Sequence, residues 1–85
     1  MYEVLWDKQA LVDLKHISKP EAKKIVMKVE HYLSKNPLKL GKLLKGKFIG
    51  LYRYRFKDYR IIYEFNKNDI NVIIVRVGHR KDIYN

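Results

Sequence analysis

The sequence predicts an α+β domain in the order β-α-α-β-β-β, with a helical hairpin packed on one face of a mainly antiparallel four-stranded sheet. Two observations carry this. Between Trp6 and Pro37 the apolar residues recur at helical spacing, whereas from Leu51 onwards they alternate with a period of two. Short polar breaks separate the alternating runs, so successive strands are antiparallel neighbours and the helices cover the face left apolar. A chain of 85 residues has room for one core, so residues 1–85 are read as a single domain.

Tyr2 to Trp6 reads as a strand, ended by Asp7 as the N-cap of a helix whose apolar stripe is Ala10, Leu11, Leu14 and Ile17. Ser18-Lys19-Pro20-Glu21 has the form of a capping box with proline in the first turn. The second helix then carries Ala22, Ile25, Val26, Val29, Tyr32 and Leu33 on one side, and Asn36-Pro37 ends it. Leu38 to Gly50 is a polar, glycine-interrupted connection from which Leu40, Leu43 and Leu44 are expected to dock on the core. Strands follow at Leu51 to Lys57, Tyr59 to Asn66 and Ile70 to Val77, and the chain closes in a short polar tail.

Nineteen Lys and Arg against nine Asp and Glu give a formal charge of +10. Such an excess calls for an anionic partner, nucleic acid first, an acidic protein next and an anionic membrane surface third. The absence of cysteine excludes disulfides, thiolate catalysis and cysteine-based zinc sites. His16 and His31 have no ligand-spaced companions, so no metal and no cofactor is expected. The acid at Glu3 interrupts the N-terminus before a signal peptide can form, and the longest apolar runs are strand-sized, which makes a cytoplasmic location the expectation.

The informative segment is Leu51-Tyr52-Arg53-Tyr54-Arg55-Phe56-Lys57. A strand's alternation sends Tyr52, Tyr54 and Phe56 under the helices and Arg53, Arg55 and Lys57 to the other face. In the next strand Tyr59, Ile61, Tyr63 and Phe65 form the core set, leaving Arg60, Ile62 and Glu64 with the arginines. A two-residue turn at Lys57-Asp58 sets Arg55 across from Arg60. Like charges placed so are unfavourable by up to about 1 kcal/mol, and a bound anion relieves them. Guanidinium forks hold phosphate oxygens in pairs, so the grouping suits an RNA backbone, although a charged, merely soluble sheet face is the plainer reading.

The stretch from Leu43 to Tyr84 resembles the RelE type of the RelE/ParE toxin superfamily. The resemblance rests on Gly50-Leu51-Tyr52-Arg53-Tyr54-Arg55, Asp58-Tyr59-Arg60-Ile61-Ile62-Tyr63, Val77-Gly78-His79-Arg80 and the closing Tyr84. It implies the toxin of a type II toxin–antitoxin system, a metal-independent mRNA interferase that cleaves mRNA in the ribosomal A site, with a cognate antitoxin, the ribosome and mRNA as partners. It also implies that Arg60 stabilises the scissile phosphate, that Arg80 is the second catalytic arginine, and that Tyr84 is the C-terminal tyrosine. Arg53 and Arg55 stand where well-studied members have lysines, and arginine is a poor proton donor or acceptor.

The implied reaction is attack of a 2′-hydroxyl on the adjacent phosphorus, giving a 2′,3′-cyclic phosphate. Tyr84 is the first candidate base and His79 the alternative for either proton role. Lys23, Lys24 and Lys28 on the second helix, and Lys45 and Lys47 in the connection, join Arg53, Arg55 and Lys57 as candidate RNA contacts; a solvated helix face is the alternative for the first three. A ParE-like gyrase poison and a noncatalytic RNA-binding module are the competing functions.

Overall fold

In a computed structural model of the chain, which describes residues 1–83, the alternating runs pair into a five-stranded sheet. Its strands are β1 (Glu3–Trp6), β2 (Lys42–Leu43), β3 (Tyr52–Phe56), β4 (Tyr59–Asn66) and β5 (Asn71–His79), in the order β1-β5-β4-β3-β2. β1 runs parallel to β5 and every other pairing is antiparallel. The α+β class stands as expected, but the sheet has five strands rather than four. The extra strand, β2, is two residues long and too short to leave a periodic signal.

Helix α1 (Lys8–Lys15) begins at Asp7, whose carboxylate accepts from the Gln9 amide at 3.3 Å. Helix α2 (Lys19–Lys28) has Pro20 in its first turn, yet Ser18 makes no side-chain cap bond, so the expected capping box is not formed. α2 continues through a π-helical turn, Val29–Leu33. The wider turn keeps Ile25, Val29 and Leu33 on one buried line and swings Tyr32 out to 52% exposure, off the stripe that regular helical spacing gives it. Leu11 is likewise turned outward; Ala10 is buried, and Leu14 and Ile17 pack against the core.

Past Asn36 a single helical turn, α3 (Pro37–Leu40), leads into β2, and a 3₁₀ turn, Gly46–Phe48, leads into β3. Leu40 and Leu43 do not dock on the core: both are exposed, because no layer lies over this border of the sheet, and Leu44 is half-buried. The start of the polar tail forms a helical turn not expected from the sequence, α4 (Arg80–Ile83).

The core lies between the helices and the face formed by Ile61, Tyr63, Val72, Ile74 and Val77. Strict alternation from Val72 and Ile74 would aim Arg76 and Gly78 inward. A β-bulge prevents this: Tyr63 pairs with Ile74 and Ile62 with Arg76, so Val75 is the extra residue and Val77 turns to the core.

Tyr63 anchors the connection to the core, its buried hydroxyl donating to the Pro37 carbonyl. Burial, reinforced by neighbouring Tyr52, pushes the Tyr63 phenol well above its ordinary value, so it remains a donor. Gly41 makes room for it, since a Cβ there would lie 1.6 Å from the Tyr63 hydroxyl oxygen. Gly41→Ala is therefore expected to destabilise the fold by roughly 1–3 kcal/mol through overpacking. Tyr63→Phe should cost about 1 kcal/mol. In the double variant the clash with the hydroxyl is gone, although a Cβ still lies 2.7 Å from the ring Cζ and 3.0 Å from the Pro37 carbonyl oxygen, so chemical denaturation should give somewhat less than the sum of the two losses.

Candidate nucleic-acid interface

The chain reverses between β3 and β4 through Lys57-Asp58, with Lys57 in the left-handed region at φ +55°. This tight turn sets Arg55 across from Arg60 and Arg53 across from Ile62. Directly opposed residues share a face. Arg55, Arg60 and Gly78 therefore form one row across β3, β4 and β5, and Lys42, Arg53, Ile62 and Arg76 form the next. Tyr52, Tyr54, Phe56, Tyr59 and Phe65 pack toward the helical core on the opposite face, as alternation requires.

Among the described residues neither Arg53 nor Arg55 forms an ion pair. The Arg53 Nε is buried and has no hydrogen-bond partner among them. Leaving such a donor unsatisfied costs about 1–3 kcal/mol, which a phosphate oxygen would recover. Arg60 is 4% exposed, and its Nη1 donates to the Tyr59 carbonyl at 3.4 Å. Ile62 is wholly buried beside it. Glu64, two positions beyond Ile62 on β4 and exposed, is a carboxylate on this face. The arrangement can grip an anion through rigid forks.

Arg76 is committed elsewhere. Its Nε and Nη2 bond the Asp13 carboxylate at 2.9 and 3.3 Å, and the Val77 amide donates to the same group at 2.9 Å. Asp13, on α1, thereby takes the place of a neighbouring strand where β1 has ended. Burial raises the Asp13 pKa, but hydrogen bonds from Arg76, Val77 and Gln9 outweigh it and hold the carboxyl below its ordinary 3.8.

Several candidates fall elsewhere than alternation places them. Lys57 leaves the arginine face: its left-handed backbone breaks the strand, and its ammonium lies 3.5 Å from Glu21 on α2. Lys24 is 3.8 Å from the same carboxylate, and Lys28 sits over the rings of Tyr32 and Phe56. Lys23 shares α2, so these three lie on the helical side of the sheet. Lys45 precedes the 3₁₀ turn at the β2 border and Lys47 lies within it, both exposed, with Lys47 over Phe48.

His79 pairs with Tyr59 and makes an edge contact with its ring at 6.0 Å, which puts the imidazole on the helical side, away from Arg60. It opens onto a groove of about 450 Å³ along the β5 edge, lined by His16 and Ile17 from the helical side and by Arg76, Gly78 and Ile83. Arg80 is exposed, its amide donating to the Asp58 carbonyl at 2.8 Å, so α4 starts beside the β3–β4 turn. Ile83 is buried against Gly78, where a Cβ would lie 3.0 Å from it. Tyr84 lies outside the described residues.

Sequence reasoning missed Lys42, which faces Arg53 only because β2 exists, and the Asp13–Arg76 pair, which joins residues far apart in the chain. Among the described residues no group of His, Asp and Glu side chains could hold a metal ion, and no helix is long and apolar enough to cross a membrane.

A family model described as the ParE toxin of the type II toxin-antitoxin system parDE matches residues 4–84. The chain is 40% identical to toxin RelE3 of Methanocaldococcus jannaschii over 96% of its own length and 94% of that protein. The chain belongs to the RelE family of type II toxins. It is also 40% identical to toxin RelG of Mycobacterium tuberculosis over 61% of its length, a match that spans 60% of RelG. Among solved structures, the Mycobacterium tuberculosis toxin-antitoxin complex RelBE2 contains a chain that superposes with a TM-score of 0.88 at 30% identity, covering 93% of this chain and 98% of that one. The five-stranded sheet with helices on one face is thus the fold of RelE toxins.

The Asp13 cluster sets a pH dependence. A carboxyl whose pKa is depressed by folding stabilises the fold fully above its unfolded value, and that contribution disappears as pH falls through the folded value. Asp13→Ala should therefore lower stability by roughly 1–3 kcal/mol at neutral pH. Thermal melts of variant and parent should converge as the pH is taken below 3.8.

Proposed function

We propose that this RelE-family toxin is a ribosome-dependent endoribonuclease that cleaves mRNA in the ribosomal A site, and that a cognate antitoxin restrains it. The observation that carries the reading is the row of Arg55 and Arg60, flanked by Arg53 and Lys42, on a sheet face whose guanidinium groups lack carboxylate partners at Arg53 and Arg55. The toxin–antitoxin complex formed by the RelBE2 relative supports the partner.

In this reading Arg53, Arg55 and Lys42 hold phosphates flanking the scissile one, and Arg60, fixed by burial, meets the charge that develops on the phosphorane. Arg80, at the start of α4, adds a second charge. The 2′-hydroxyl attacks the adjacent phosphorus, the 5′-oxygen departs, and a 2′,3′-cyclic phosphate remains. Metal is not required, since cations already neutralise the phosphate. Tyr84, which lies outside the described residues, is proposed as the base from the family resemblance, since a phenol brought beside guanidinium groups would favour its ionised form. Tyr54 and Tyr63 are poor substitutes: burial, with Tyr32 and Tyr52 respectively adding to it, raises both. His79 keeps a proton role only if substrate reaches the helical side of β5.

A site made of charges and no strong base depends on its substrate being held in attack geometry, an effect worth up to roughly 7–11 kcal/mol. Purified protein should cleave ribosome-bound mRNA and leave free mRNA nearly intact; equal rates on both would contradict the reading. Cleavage with no effect on gyrase supercoiling would also dispose of the ParE-like alternative that the family model's description raises.

Single-turnover kinetics separate the roles. Arg60→Ala should slow cleavage by on the order of 10²-fold or more, whereas Arg53→Ala should chiefly weaken binding. Because Arg60 is buried, melting curves accompany both variants. Tyr84→Phe should lose about 10²–10⁴-fold with ribosome binding unchanged, and His79→Gln should retain activity. The reverse pattern would transfer the base role to His79.

A further inference from the structure

Between Glu30 and Asp58 the chain contains no acidic residue. Within this cationic stretch lie the three short elements that edge the sheet beyond β3: α3, β2 and the 3₁₀ turn. They carry large aliphatic side chains to solvent. Ile49 is 76% exposed, Leu43 61%, Leu38 55% and Leu40 42%. Lys39, Lys42, Lys45 and Lys47 are interspersed among them and exposed. Scattered exposed leucines need no explanation, but four in twelve residues, each set among ammonium groups, form a mixed apolar and basic strip.

The composition discriminates among occupants. RNA would use the lysines but gains little from leucine and isoleucine, since bases stack on aromatic rings. A second copy would set one lysine-rich strip against another. An acidic, amphipathic polypeptide satisfies both halves, its carboxylates meeting the lysines and its apolar side chains covering the aliphatics.

We infer that the α3–β2–3₁₀ border of the sheet is a docking strip for an acidic amphipathic segment of the antitoxin. This rests on the antitoxin reading given above. The strip is continuous with the arginine face, because Lys42 is directly across from Arg53. A segment seated along it is therefore led by the same charge onto Arg53 and Arg55, and it restrains the toxin by occupying the phosphate sites from the β2 side.

The test uses the full-length toxin and the antitoxin encoded with it. Leu43→Ser with Ile49→Ser removes apolar surface at two exposed positions outside the proposed RNA contacts, so melting temperature and cleavage of ribosome-bound mRNA should be unchanged. Calorimetric titration with the antitoxin should show affinity about ten-fold or more weaker, and more antitoxin should be needed to suppress cleavage. Antitoxin binding equal to that of the parent would overturn the assignment while leaving the toxin–antitoxin reading intact. No binding by the parent would remove both.

Three other outcomes would also overturn it, each naming a different occupant. Weaker ribosome binding with unchanged antitoxin affinity would mean that the strip contacts RNA. Loss of a parental dimer in sedimentation would mean that it pairs with a second copy. Loss of parental co-sedimentation with phosphatidylserine-containing vesicles would mean a membrane surface. A variant that failed to melt cooperatively would show these side chains to be structural, which also contradicts a free docking strip.

Discussion

The register of β3 on β4, fixed by a two-residue turn, is the constraint from which the rest follows. With Arg55 across from Arg60, every aromatic residue of the two strands falls on the helical side and the guanidinium groups of Arg53, Arg55 and Arg60 converge on the other. A slip of one residue would exchange the faces and bury arginines against α2. The burial of Tyr63, Ile61 and their neighbours holds the register, at roughly 1.5–3 kcal/mol for each large apolar side chain removed from water. Core packing thus forces like charges together, and the function proposed for this toxin uses the potential that results.

Two devices let β5 join that scheme. The bulge at Val75 returns Val77 to the core after Val72 and Ile74, and it leaves Gly78 beside Arg60 on the cationic row. Asp13 then satisfies the Val77 amide and neutralises Arg76 where β1 no longer covers the edge. Arg76 is thereby a structural arginine, while Arg53 and Arg55 remain available to a ligand. Cations that look alike in the sequence are sorted by whether a carboxylate faces them.

Most of the fold was legible because alternation and helical spacing are local signals. The strand boundaries from Tyr52 to Asn66, the two helices, the aromatic face and the pairing of Arg55 with Arg60 were all readable from period and turn chemistry. What escaped reading depends on geometry that sequence spacing does not encode. The π-helical turn moved Tyr32 off its stripe, and the left-handed Lys57 swung its ammonium to Glu21. The bulge put His79 on the helical side, and the two-residue β2 brought Lys42 to Arg53. Leu40 and Leu43 were expected in the core on hydrophobicity alone, and the structure leaves them at an uncovered border. The roles of individual residues rest on family resemblance and electrostatics, most of all for Tyr84.

The claim that the arginine face of the sheet is the RNA site can be tested directly by following the arginine Nε–H resonances while a short 2′-O-methyl RNA, which lacks the attacking hydroxyl, is titrated at low salt. The account predicts that Arg53, Arg55 and Arg60 shift together and saturably, while Arg76, bound to Asp13, stays in place. Shifts confined to amides of α2 around Lys23, Lys24 and Lys28, with the sheet arginines unmoved, would contradict it and place the nucleic acid on the helical side.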